Sequence, residues 1–104
     1  MQYIAKIQYM KAIQVIKAKE IREDNTIVEV VVWRLPASLE PCTHKYKYRL
    51  FYGVPGACRV RYDNELGKGD HRHINDEEWP YVFSNLETLM QDFQRDVEFW
   101  RPIR

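Results

Sequence analysis

The segment Tyr62-Asp63-Asn64-Glu65-Leu66-Gly67-Lys68-Gly69-Asp70-His71-Arg72-His73 concentrates residues that can move protons and hold anions. Seven of its twelve residues are ionisable at or near neutral pH, and two are glycines. His71 and His73 stand two apart, so an extended chain projects both to one side, with Cα atoms about 6.5 to 7 Å apart. Imidazoles titrate near neutral pH, so one can take the proton of a ribose 2′-hydroxyl while a second acid protonates the leaving 5′-oxygen, with no metal required. Lys68 and Arg72 can offset charge gathering on the phosphorus oxygens, and Asp70 can fix a histidine tautomer. Gly67 and Gly69 flank Lys68 and let backbone amides bend toward an anion. The pattern is not a P-loop, which needs Ser or Thr after its lysine.

The same residues admit other chemistry. Asp70, His71 and His73, with Asp76, Glu77 or Glu78, offer mixed oxygen and nitrogen ligands, although their spacing matches no defined metal motif. A solvated polar loop whose histidines make ordinary hydrogen bonds is the plainest alternative. Cys42 and Cys58 have no metal-like spacing, and His44 is the only histidine close in sequence to either, so both read as packing thiols. The expectation is a chain with no metal and no cofactor.

Strands must position this segment. Lys11 to Ile21 and Thr26 to Leu35 are rich in Val and Ile and flank the polar cluster Arg22-Glu23-Asp24-Asn25, which predicts a β-hairpin. The second strand is apolar on both parities from Ile27 to Trp33, as in a central strand, and Pro36 ends it. A loop containing Pro41 leads to a third strand from Lys45 to Tyr52. Gly53-Val54-Pro55-Gly56 then turns the chain into a fourth, Ala57 to Asp63. Lys45, Lys47 and Arg49 share one face of the third strand, opposite Tyr46, Tyr48, Leu50 and Tyr52. Pairing odd positions with odd ones gathers Lys45, Lys47, Arg49, Arg59 and Arg61, a surface either simply solvated or able to track nucleic-acid phosphates. Ser84 followed by Glu87 is a capping box, and Leu86, Leu89, Met90, Phe93, Val97 and Trp100 make an apolar stripe at helical spacing. The expected fold is α+β: a four-stranded antiparallel β-meander within residues 10–63, a functional loop at 62–73, and a helix over 84–100 packed on the tyrosine-bearing face.

A chain of 104 residues suits one domain, 1–104, with one core. Lys and Arg number 16 against 15 Asp and Glu, so any case for nucleic acid rests on the distribution of charge. Lys6, Lys11 and Lys17 interrupt the N-terminal apolar residues, and no stretch approaches transmembrane length, which leads to the expectation of a cytoplasmic protein with no membrane partner. Residues 1–9 read as an extension, since Met10 can itself serve as initiator.

Val-Val-Trp-Arg-Leu-Pro at Val31 to Pro36, Lys-Tyr-Arg-Leu at Lys47 to Leu50 and, above all, the run from Tyr62 to His73 resemble the TumE family of toxins, over most of the chain from Met10 to Trp100. The acidic, aromatic stretch from Asn75 to Pro80 also fits that family's connection into the helix, while the residues before Met10 depart from it. The resemblance implies the toxin component of a toxin-antitoxin module and a small DNA-binding antitoxin protein as partner. It assigns no catalytic residues. From the residues themselves, a metal-independent endoribonuclease acting on RNA is one function that fits. A non-enzymatic module gripping nucleic acid or protein with the basic sheet face is another, and a protein-directed inhibitor anchored by Trp79 and Tyr81 is a third.

Overall fold

A computed structural model describes residues 11–100. The expected extension before Met10 lies outside the described residues. β1 (Ile13–Ile21), β2 (Ile27–Arg34), β3 (Tyr46–Val54), β4 (Ala57–Glu65), β5 (Gly69–Ile74) and β6 (Glu77–Pro80) precede a single described helix, α1 (Leu86–Trp100). The strands form one antiparallel sheet in sequence order. No helix among the described residues is long and apolar enough to cross a membrane.

The fold is α+β, but the sheet has six strands where the sequence predicts four. The segment 62–73 is not a loop: β4 continues to Glu65, a turn at Leu66 to Lys68 reverses the chain, and β5 pairs back along β4 from Glu65↔Gly69 to Val60↔Ile74. Gly67 (φ 85°) and Gly69 (φ 81°) supply the left-handed conformations this reversal needs, which side chains with a Cβ rarely adopt. Lys68 N–H closes the turn on the Glu65 carbonyl at 3.1 Å. The β2–β3 loop braces it from outside, since Gly67 N–H donates to the Glu40 carbonyl at 2.7 Å. A Cβ on Gly69 would sit 3.3 Å from the Pro41 ring. Asn75 (φ 55°) then turns the chain into β6.

Pleating sorts the side chains into two faces. Val30, Val32, Tyr48, Leu50, Tyr52, Val60 and Tyr62 form the buried face, and Leu89, Phe93 and Val97 of α1 cover it. Asn64, 0% exposed, closes the end of this core: its Oδ1 accepts from Tyr48 N–H at 3.0 Å and its Nδ2 donates to the Tyr46 carbonyl at 2.7 Å. These bonds satisfy a buried amide that would otherwise be costly. The helix starts two residues later than Ser84, and its cap is Asn85, whose Oδ1 accepts from Thr88 N–H at 2.8 Å.

Phe93 is 3% exposed and meets the Tyr62 ring edge-on at 6.1 Å. Phe93→Ala should therefore destabilise the protein by about 3 to 5 kcal/mol in chemical denaturation. A loss below about 1 kcal/mol would show that the helix does not cover this face.

Candidate active site

Because successive side chains of β5 point to opposite faces, the structure divides the predicted site residues. Asp70 and Arg72 face the helix side; His71 and His73 face the open side of the sheet. Lys68 is exposed in the β4–β5 turn.

On the helix side, Arg72 donates to Asp96 of α1 through Nε at 2.8 Å and Nη2 at 3.2 Å, and its guanidinium lies over the Trp79 ring at 5.6 Å. The Tyr62 hydroxyl donates to the same Asp96 carboxylate. Tyr81 donates to Asp92 at 2.5 Å, so this aromatic is engaged with the helix. Asp70 accepts from the Tyr48 hydroxyl at 2.5 Å, from His44 Nε2 at 2.8 Å and from the Cys42 thiol at 3.4 Å. Asp70 thus fixes a tautomer, but that of His44 rather than of His71 or His73.

Cys42, His44 and Asp70 bring three ligand atoms within 4.8 Å of one another, a spacing a metal ion could bridge. Hydrogen placement works against it. Tyr46 N–H donates to His44 Nδ1 at 3.1 Å, so the ring proton sits on Nε2 and points at Asp70. A metal on Nε2 would leave that neutral ring with no proton at all. Burial, the nearby Asp70 charge and its hydrogen bond push the Cys42 thiol up to about 11, away from the thiolate a metal needs. The set is a hydrogen-bonded brace that ties the β2–β3 loop to β5, with Phe83 stacked on His44 at 3.9 Å.

On the open side, His71 Nδ1 lies 3.1 Å and His73 Nε2 3.2 Å from one oxygen, Glu78 Oε2 of β6. Arg61 Nη2 is 2.9 Å from His73 Nε2. Asp63 Oδ2 lies 3.2 Å from Arg61 Nε, and its Oδ1 lies 4.0 Å from His73 Nε2. The ladder explains the grouping, because Arg61 pairs with His73, Asp63 with His71, and His73 with Glu78. His71 Nε2 is enclosed with no hydrogen-bond partner among the described residues, and Arg61 Nε meets Asp63 as an ion pair. Sequence reasoning singled out the two imidazoles but did not join Asp63, Arg61 and Glu78 to them. Period-two spacing around Gly67 was the signal that could have done so.

The five cations expected to form one basic face are not placed as one unbroken row. Lys45 precedes β3 and is exposed, while Lys47 donates its ammonium to the Asn64 carbonyl, and burial lowers that ammonium's pKa. Arg49 pairs with Glu29 at 3.4 Å and lies over the Phe51 ring at 5.1 Å. Arg59 is the extra residue of a β-bulge and lies over the Trp100 ring at 5.6 Å, at the end of the helix. Arg61 belongs to the imidazole cluster. Glu29 and Asp63 interleave with these cations, so the face carries mixed charge.

A family model described as Toxin TumE matches residues 4–101. The chain belongs to the Toxin TumE family. The match begins before Met10 and spans both the open-face imidazole cluster and the brace beneath it, so both lie within the family's domain. No curated protein and no solved structure matches the chain.

Burial opposes ionisation of Asp70, but the hydrogen bonds from His44 and Tyr48 outweigh it and hold the carboxyl below its usual value of 3.8. A carboxylate with a depressed folded pKa adds stability above the unfolded pKa, and that stability is lost as pH falls through the folded pKa. Asp70→Asn should therefore cost about 2 kcal/mol near neutrality. Denaturation series should show the gap from wild type narrowing as pH falls below 3.8. A gap that stays constant into acid would mean that Asp70 carries no stabilising charge.

Proposed function

We propose that this chain is the toxin of a toxin-antitoxin module, neutralised by an antitoxin protein, and that it acts in the cytosol as a metal-independent endoribonuclease. The toxin part is supported by membership of the Toxin TumE family. The observation that carries the enzymatic part is convergence: His71 Nδ1 and His73 Nε2 lie 3.1 and 3.2 Å from a single carboxylate oxygen. A phosphate oxygen in that position would lie within reach of one nitrogen of each ring. Glu78 is 45% exposed against 19% for each histidine, so its carboxylate is the group that an incoming phosphate displaces.

In this reaction one neutral imidazole accepts the 2′-hydroxyl proton as that oxygen bonds to phosphorus. The bond from phosphorus to the 5′-oxygen breaks, and the other, protonated imidazole supplies the proton that the leaving oxygen takes. The Arg61 guanidinium offsets charge on the non-bridging oxygens. Asp70 and Arg72, engaged on the helix side, support the strand rather than the chemistry. Lys68, exposed in the turn, contributes charge to RNA approach. A non-enzymatic grip by the basic face has less support, because Glu29 and Asp63 interrupt it.

Purified protein should cleave single-stranded RNA in EDTA, leave a 2′,3′-cyclic phosphate and a 5′-hydroxyl, and give a bell-shaped pH profile. His71→Ala and His73→Ala should each lower the rate by about two to four orders of magnitude, and should relieve growth arrest on expression. A folded double variant that cleaves and arrests growth like wild type would remove the imidazoles from the mechanism. Glu78→Gln should lower KM with a smaller change in kcat, since it removes the competing carboxylate. A fall of two orders or more in kcat would instead make Glu78 a proton-transfer group.

A further inference from the structure

On the same open face, over β2 and β3 and so two to three strands from the imidazoles of β5, a groove of about 470 Å³ has Glu29, Val31, Trp33, Lys47, Tyr48 and Arg49 in its lining. Grooves of this volume accommodate small organic groups. We propose that it is a base-binding subsite, which takes one unpaired nucleobase of single-stranded RNA while a phosphate further along the same strand lies between His71 and His73. This inference rests on the ribonuclease reading of that imidazole pair.

The lining suits a base. The Trp33 indole and the Val31 side chain give an apolar wall, and every nucleobase presents a π-face to stack on an aromatic. Polar atoms for the base edge stand beside this wall, because the Arg49 guanidinium and the Glu29 carboxylate lie 3.4 Å apart at the groove. One offers donors and the other acceptors, the complement that the edges of unpaired bases require. Arg49 keeps 47% of its side-chain surface exposed, so it can turn from Glu29 to a ligand. Lys47 is already tied to the Asn64 carbonyl and adds its stem to the wall.

Register places this groove in line with the chemistry. Val31 pairs with Arg49, Arg49 with Asp63, and Asp63 with His71, a single row across the sheet. With strands about 4.8 Å apart, two steps set Arg49 about 10 Å from His71, a span that a short stretch of extended single strand covers. Trp33 stands one strand further, on β2, and two residues along from Val31, about 16 Å from His71, so the base that meets it lies a nucleotide or two from the cleaved linkage; a base held in a duplex, with its faces stacked, cannot meet it. The subsite would make cleavage selective for unpaired RNA and for the base at that position.

The test uses the full chain and single-stranded 2′-O-methyl oligonucleotides, which lack the attacking hydroxyl and so report binding alone. Trp33→Ala should weaken binding roughly 5- to 150-fold, the range for removing one aromatic from under a base. Trp33→Phe should keep most of the affinity and guards against a folding defect in the alanine variant. On cleavable RNA the alanine loss should appear mainly in KM, and Glu29→Gln should change which base is preferred at one position a nucleotide or two from the cut. Unchanged affinity and KM in Trp33→Ala, with histidine-dependent cleavage intact, would overturn the subsite and leave the catalytic reading standing. No oligonucleotide binding and no cleavage by wild type would overturn both. Trp33 variants that bind RNA normally but lose the antitoxin protein would assign the groove to that protein instead.

Discussion

A buried carboxylate on the helix, Asp96, takes the Tyr62 hydroxyl and the Arg72 guanidinium, and through them fixes which way β5 faces. Arg72 cannot leave this arrangement cheaply, because a buried carboxylate stripped of its cation costs several kcal/mol. With Arg72 held toward the helix, the pleat leaves its neighbours His71 and His73 only the opposite side of the sheet. Asp70, also on the helix side of the strand, is held in the same sense by His44 and Tyr48. Four consecutive ionisable residues are thus parted into two that anchor and two that remain available for chemistry.

The open side then follows from pairing. Once β5 lies against β4 in this register, Arg61 and Asp63 come up beside His73 and His71, and the return through Asn75 brings Glu78 across from His73. Neither edge of the sheet extends without restraint. β6 is short, acidic and ends at Pro80, while Lys17 and Lys19 lie along β1, and features of this kind discourage further strand pairing. The open face between these edges combines imidazoles, a guanidinium and an indole with no helix above them among the described residues.

Much of this was legible in the sequence, and what was not has identifiable causes. The β1–β2 and β3–β4 hairpins announce themselves through alternating Val, Ile and Tyr, and α1 through its apolar stripe. The capping box at Ser84 places the cap one residue early because Ser84 and Asn85 are both competent, and only the bond to Thr88 N–H decides between them. β5 and β6 were hidden by charge and glycine, since a strand built from Asp70, His71, Arg72 and His73 looks like a polar loop until Ile74 and the pairing with β4 are seen. The partnership of Asp70 with His44 spans 26 residues and follows no local rule. Arg59 left the expected basic row because a bulge inserts it opposite Gly53, where any Cβ would lie 2.3 Å from the Ala57 carbonyl oxygen.

The central claim is that the open-face imidazoles, and not the one beneath the sheet, meet the phosphate of RNA. The chain has three histidines, one on the helix side and two on the open side, so a single spectrum separates the possibilities. In protein labelled with 15N at histidine, titration with an uncleavable single-stranded 2′-O-methyl oligonucleotide should shift the ring nitrogens of His71 and His73 together and leave those of His44 in place. Movement of His44 alone, or of none of the three at concentrations where the oligonucleotide binds, would contradict it.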